Sequence, residues 1–431
     1  MSLKAFTCQR CKKCLSLLSS VFKKKGVVFS LLSALFLTIA CYFANNLPVL
    51  TGESMLQYQI IQFFCNLIGK HQEVDDGEKF VFYNTSYDQV TVPAIDYHGS
   101  DFPDTIGVNV ITDRKKLAEF LDLLEKGDKY SFVIVDLAFD ENDVSPYDSC
   151  LYDKILEMRD IVVANGDRIS LAPKLKGQNK DALVSYYVTL ASTNLARYEY
   201  SEKDSRSIPL FVYESLYPDK VIKRYGFGRF SLYFSGGRLC NNSNFLTFGN
   251  NSSVEGDDEI NDDLDCGVEG FPYENIGQIL DGADSLEAII ENVASRTDSA
   301  IVIIGDFNHD IHDTYMGEKP GPLIMARALQ TLREGKHIVS FWHTIIWFLV
   351  FFMISLAIYI DKPVSMYFPV IKKIPYKFVH LLLSLLSYSV VLLLCSFIEY
   401  AYFDRVTSLV IPIIYFSILK LVIQYRKLDT I

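Results

Sequence analysis

Four stretches of this chain are too long and too apolar for the core of a soluble domain. They run Gly26–Ala44, Ser340–Ile360, Phe378–Ile398 and Val406–Tyr425. Each meets the ~20 residues that a helix needs to cross a ~30 Å hydrocarbon core. The first two carry no charged side chain; the fourth carries Lys420 near its end, where a long stem can snorkel to the headgroups. A chain so constrained is expected to be a multi-pass membrane protein, with one N-terminal span and three C-terminal ones.

Charge is partitioned to match. Residues 49–339 hold 26 basic and 48 acidic side chains, a net of −22, whereas the other 140 residues hold 15 basic and 4 acidic, a net of +11. A surface at −22 repels phosphate backbones, so a nucleic-acid partner is excluded. Basic residues cluster before the first span (Lys4 to Lys25), between the second and third (Lys362 to Lys377) and after the fourth (Arg426, Lys427). The rule that basic flanks stay cytoplasmic then places residues 1–25, 361–377 and 426–431 inside and the acidic domain outside. The expected division is 1–25 cytoplasmic, 26–44 span, 49–339 extracytoplasmic domain, then spans at 340–360, 378–398 and 406–425. A cleaved signal peptide is the competing account of the first span, but Tyr42 and Thr38 sit poorly three residues before the cuts it would need at Ala44 and Ala40. No internal repeat and no paired charge is visible in the spans, which argues against a transporter.

Within the acidic domain, residues 52–70 have the apolar spacing of an amphipathic helix. Phe80–Tyr83, Phe132–Asp136, Ile161–Ala164 and Ala300–Gly305 read as buried strands. Lys115–Lys126, closed by Gly127, and Leu151–Arg159, Leu286–Ala294 and Leu323–Arg333 read as helices. Strands alternating with such helices give the expected class: α/β, with a largely parallel sheet covered by helices, plus four transmembrane helices. The stretch 240–275 reads as a protruding loop. Asn261, Asp263 and Asp265 begin like a calcium loop, but Cys266 stands in the place of its glycine and no twelfth-position Glu follows. Cys240 and Cys266 flank the loop and are candidates for a disulfide, with Cys65 and Cys150 as alternative partners. Cys8, Cys11 and Cys14 lack the fourth ligand of a closed zinc site, so no metal is assigned to them.

The densest polar motif is Ile301–Lys336, where a buried strand ends in Gly305-Asp306 and a polar loop leads to the helix start Pro320-Gly321-Pro322. Loops beyond the carboxyl ends of parallel strands are where α/β folds place ligands. Asp306, Asp310, His312 and Asp313 are therefore pocket candidates, although aspartates in such loops as often satisfy backbone amides. Gly305-Asp306-Phe307-Asn308 resembles the GDFN motif of the endonuclease/exonuclease/phosphatase family, whose Asp and Asn work around a catalytic metal. The Ser-Asp-His and the upstream Gln-Glu of that family have no counterpart here, so metal-dependent hydrolysis is kept as the alternative.

A second resemblance spans about residues 26–425. Phe80–Asp88 (FVFYNTSYD), Phe132–Asp140 (FVIVDLAFD), Ile161–Gly166 (IVVANG) and Ile303–His337, set in a one-plus-three span layout, resemble the CHASE sensory family, type 2 (cyclase/histidine-kinase-associated sensory extracellular domain). That resemblance implies a bacterial inner-membrane protein whose periplasmic domain senses a ligand, with Asp310, His312 and Thr314 on an Asp-x-His-x-Thr turn. Asp136, Asp306, Asp310, His312 and Thr314 are accordingly the ligand-binding candidates, with no catalytic residue and no cofactor. The chain departs from the family in lacking a cytoplasmic output domain after the fourth span, so signalling is expected through its spans or a membrane partner. The ligand is expected to be a small molecule or cation, the latter favoured by the −22 field. A structural module binding another envelope protein is the remaining alternative.

Overall fold

Apolar runs of Val, Ile and Phe between amphipathic helices are realised as a parallel sheet covered on both faces. The computed structural model describes residues 24–46, 57, 59–61, 63, 79–96, 104–137, 139, 143–164, 188–189, 197–202, 205–227, 230–246, 267–268, 271–282, 285–314, 317–360, 377–403 and 406–428. It divides into two units, one of residues 69–223 and 242–337, the other of 1–68, 224–241 and 338–431.

The first unit holds strands β1 (Phe80–Asn84), β2 (Gln89–Asp96), β3 (Asp104–Thr112), β4 (Phe132–Asp136), β5 (Ile161–Val163), β6 (Phe271–Asn275), β7 (Ile301–Gly305), β8 (Ile311–Thr314) and β9 (Gly317–Pro320). Its main helices are α2 (Arg114–Gly127), α3 (Asp148–Glu157), α4 (Ile208–Leu216), α5 (Ile276–Leu280), α6 (Leu286–Thr297) and α7 (Gly321–Arg333). The main sheet has the order Gly267–Val268, β6, β1, β7, β4, β5, and every pairing is parallel except that of Gly267–Val268 with β6. Because side chains alternate along a strand, Tyr83, Val133, Val135, Val302 and Ile304 share one face, packed under α2, α3, α5 and α6. The other face meets α4 and α7, where Phe132 contacts the Phe211 ring. Burial on both sides is why these strands read as continuous apolar runs.

Boundaries differ from expectation for local reasons. Helix α2 continues through Gly127 and ends at Asp128, which takes the left-handed conformation at φ 43°. Gly127 instead serves packing, since a Cβ there would lie 3.0 Å from Ala294 Cβ of α6. Strand β6 arises inside the stretch read as a loop, and α4 and the β2–β3 hairpin were not anticipated. The acidic segment with Asn261, Asp263 and Asp265, Cys8, Cys11, Cys14, Cys65 and most of 52–70 lie outside the described residues, although Gln57, Gln59, Ile60, Ile61 and Phe63 are helical.

The second unit contains α1 (Lys24–Asn45), α8 (Phe341–Ile360), α9 (Lys377–Phe403) and α10 (Val410–Leu428). Among the described residues two segments, Gly26–Asn45 and Phe341–Ile360, are long and apolar enough to cross a membrane, where four were expected. The third and fourth are helical, but their described side chains give shorter apolar stretches, Tyr388–Tyr400 and Val410–Ile423. Helices α1 and α8 pack closely, with Gly26 so near the Tyr359 ring that a Cβ would sit 2.6 Å from it. One expectation is corrected here. Lys420 does not snorkel outward; it is buried with its ammonium over the Tyr388 ring, 5.2 Å from the centroid. A polar cluster also lies between the helices, His343 Nε2 against Glu399, joined by Thr407, whose hydroxyl donates to Glu399 Oε1 at 2.7 Å. The partners lie on separate helices 56 residues apart, so no local pattern announced them.

The α/β unit is also pinned by the buried ion pair between Arg114, which heads α2, and Asp148, which opens α3, with side-chain exposures of 2% and 3%. Asp148 also accepts from the Ser145 amide at 2.9 Å, and Arg114 lies 5.4 Å from the Phe139 ring centroid. Removing one member leaves an uncompensated buried charge. Arg114→Ala is therefore expected to destabilise the protein by about 3–5 kcal/mol, read by denaturant unfolding, with part of that loss recovered by adding Asp148→Leu.

Candidate functional site

The carboxyl ends of β1, β6, β7 and β4 are adjacent, and the residues leaving them form two clusters. In the first, Asn84 donates from Nδ2 to Asn275 Oδ1 (3.0 Å), while its Oδ1 accepts from the Ser86 amide (3.0 Å) and the Phe307 amide (3.2 Å). The Ser86 hydroxyl donates to Asp306 Oδ1 (2.6 Å), which also accepts from the amides of Asn308 (3.0 Å) and His309 (2.8 Å). The His309 ring nitrogen Nδ1 lies 2.9 Å from Asp306 Oδ2. Burial pushes the Asp306 carboxyl up, but these hydrogen bonds outweigh it and hold the group below the usual carboxylate range. Asp306 is thus a fastener for its own loop.

The second cluster sits where β4 meets the start of α7. Asp136 is 4% exposed, and its Oδ2 has no hydrogen-bond partner among the described residues. A Cβ on Gly321 would lie 2.0 Å from Asp310 Oδ2 and 3.2 Å from Asp136 Oδ2, so both carboxylates press toward one point above this glycine. Asp310 also accepts from the Gly321 amide through its backbone oxygen (2.8 Å) and holds His312 Nε2 at 3.0 Å. Gly305 completes the close fit, since a Cβ there would approach Pro322 Cγ to 2.3 Å.

Electrostatics follow from this crowding. Burial, and then the negative charge of Asp310, push the Asp136 carboxyl up to about 8, with His312 opposing. His312 is shifted above its ordinary value, chiefly by the Asp310 carboxylate 3.0 Å from its Nε2 and then by the charge of Asp136, against burial. At neutral pH the cluster therefore holds a proton on Asp136, beside Asp310 and His312. Such a site can exchange a proton, or offer a buried carboxylate to a cation that displaces it.

Of the five candidates from sequence, Asp136, Asp310 and His312 come together. Asp306 belongs to the adjoining cluster, and Thr314 donates to Gly317 O (2.6 Å), fastening the β8–β9 hairpin. Sequence reading missed Asn84, Ser86, Asn275 and His309, and it took Gly305 and Gly321 as strand end and helix start without seeing the close fit they allow; the strand-end position that singled out Asp306 applies equally to Asn84. Among the described residues no three His, Cys, Asp or Glu side chains are arranged to hold a metal ion. Cys240 is a free, buried thiol pushed up to about 12 by burial, while Cys266 lies outside the described residues. Cys150 is free and exposed. No family model, no characterised protein and no solved structure matches the chain.

Both shifts have the same sign for stability. The folded value of Asp136 stands above its unfolded value of about 3.9, so the native state keeps a proton that the unfolded chain has lost. Stability should fall as pH rises from the unfolded value to about 8. The contribution of His312 is present below its unfolded value and lost as pH rises through its raised folded value. Thermal unfolding between pH 5 and pH 8.5 should show this decline, and Asp136→Asn should flatten it; an unchanged slope would remove Asp136 as its source. Gly321→Ala should displace Asp310 and lower the melting temperature.

Proposed function

We propose that the chain is an integral membrane sensory protein whose extracytoplasmic α/β domain binds a small molecule or cation at Asp136, Asp310 and His312. The observation that carries this reading is the buried Asp136, with an unpaired oxygen, facing Asp310 and His312 at the first turn of α7. Evolution rarely leaves a carboxyl buried and unsatisfied for stability alone, because the arrangement is costly. The covalent route outward is short: seven residues separate the end of α7 at Arg333 from the start of α8 at Phe341. A ligand that favours one position of α7 would be passed to α8 along that link, provided it binds the two states unequally.

Four spans with both termini cytoplasmic is the arrangement we infer for the helical unit. Supporting it, the Ser408 amide before α10 donates to Asn45 at the end of α1 (3.1 Å), and His343 in the first turn of α8 pairs with Glu399 near the end of α9. Successive helices thus bring alternate ends to one level, as the basic flanks require. The resemblance to the CHASE family, type 2, agrees with this layout, and the signal leaves through the spans or a membrane partner. A metal-dependent phosphodiesterase is the less supported reading, because the carboxylate of Asp306 is engaged by Ser86, Asn308 and His309.

The test is thermal unfolding of the full-length protein in lipid nanodiscs against a panel of amines, metabolites and metal ions. A true ligand at a hundred times its dissociation constant adds ~2.7 kcal/mol. Asp310→Ala and His312→Ala should each abolish that shift without unfolding the domain. Shifts that survive both substitutions would sink the site, and magnesium-dependent hydrolysis of a phosphodiester would favour the enzyme.

A further inference from the structure

The stretch Ile222–Cys240 forms a three-stranded sheet, from Ile222–Phe227, Phe230–Ser235 and Arg238–Cys240. The last two are joined by Gly236 and Gly237, both at positive φ (53° and 76°), as a tight hairpin turn requires. Along Phe230–Ser235 the usual alternation is reversed. Ser231, Tyr233 and Ser235 face inward at 0%, 5% and 3% exposure, whereas Phe230 and Leu232 face outward at 71% and 38%. Phe234 lies on the outward side too, edge-on to the exposed ring of Tyr225, with centroids 5.7 Å apart. A strand in water turns its apolar residues to the core and its serines to solvent. Serines inside and large apolar residues outside is the pattern of a strand whose outer medium is lipid.

The position of this sheet agrees. The Tyr42 hydroxyl, near the end of α1, donates to Cys240 O (3.0 Å) and accepts from the Tyr233 amide (3.2 Å). The Phe43 ring meets Phe230 edge-on at 5.8 Å. On the other strand, the Val339 amide donates to Leu239 O (2.8 Å), two residues before α8 begins. The sheet is thus stitched to the end of one candidate span and the beginning of another. Phe341 and Trp342 in the first turn of α8 are exposed as well, as aromatic residues at a membrane–water boundary are.

We propose that the Phe230–Ser235 hairpin is an interfacial anchor, with Tyr225, Phe230, Leu232 and Phe234 seated among the headgroups and upper acyl chains of the bilayer that α1 and α8 cross. The anchor fixes the level of the chain leaving α1 and of the chain entering α8. It does not depend on the ligand site.

The test places a single tryptophan, Phe230→Trp, in the full-length protein carrying Trp342→Phe and Trp347→Phe, reconstituted in phosphatidylcholine nanodiscs. In lipid brominated on the upper acyl carbons its emission should drop by roughly half, as expected for a side chain held at the headgroup–acyl boundary, while acrylamide quenches it little. Leu232→Trp repeats the measurement should the first variant misfold. Quenching by acrylamide without bromine would place the face in water, and insensitivity to both would place it against protein; either overturns the anchor. Native Trp342, read alone in Trp347→Phe, reports whether the start of α8 is in lipid at all, so failure of the hairpin and failure of the membrane reading are distinguished.

Discussion

Strand β7 lies between β1 and β4, paired in register with both along its whole length, from Phe80↔Ile301↔Phe132 to Asn84↔Gly305↔Asp136. This insertion sets Asn84 and Asp136 on either side of Gly305, although the two come from distant parts of the chain. One loop, leaving β7 at Asp306, can then reach both: its first residues bind Asn84 and Ser86, and its later ones bring Asp310 to Asp136. The chemistry at the domain's edge follows from a parallel sheet in which the last strand enters the middle. Parallel ladders of this kind close only after long excursions of the chain, and β7 is formed two hundred residues after β1.

The two units solve opposite problems with the same alternation rule. In the α/β unit the strands buried on both faces are largely apolar, and buried charged side chains find partners, as Arg114 does in Asp148 and Asp143 in Asn109, or crowd together around Asp136. In the helical unit some apolar side chains, such as Leu32, Phe36 and Met353, face out, others, such as Leu37, Phe351 and Phe416, form a core, and His343, Glu399, Thr407 and Gln57 with Ser396 gather inward. These polar groups bond to one another, Gln57 to Ser396 and Thr407 to Glu399. The strand Phe230–Ser235 also turns large apolar side chains outward, within a chain segment that the sequence assigns to the external domain.

What could be read from the sequence was what local periodicity encodes. Strands β1, β4, β5 and β7 stood out because burial on both faces leaves uninterrupted runs of Val, Ile and Phe, and α2, α3, α6 and α7 because one face of each is apolar. Asp310 and His312 were singled out as loop residues beyond a strand end, and the structure places both beside Asp136. Helix α4, strand β6 and the sheet at Ile222–Cys240 were not. Their residues alternate weakly or in reverse, and only the neighbours supplied by the fold decide which side is inside. The same holds for His343 with Glu399, and for Gly321, whose need to lack a side chain is visible only once two carboxylates are placed above it.

Gly321 carries a last consequence. The first turn of α7 is the floor on which Asp136 and Asp310 approach each other, so the gap between the two carboxyl groups is set by where that helix begins. A displacement that widens the gap lowers the cost of ionising Asp136 and releases its proton; one that narrows it draws a proton back. Helix position and proton occupancy are then two coordinates of a single equilibrium, and the acidity of the surrounding compartment becomes a mechanical input to the same element that a ligand would push.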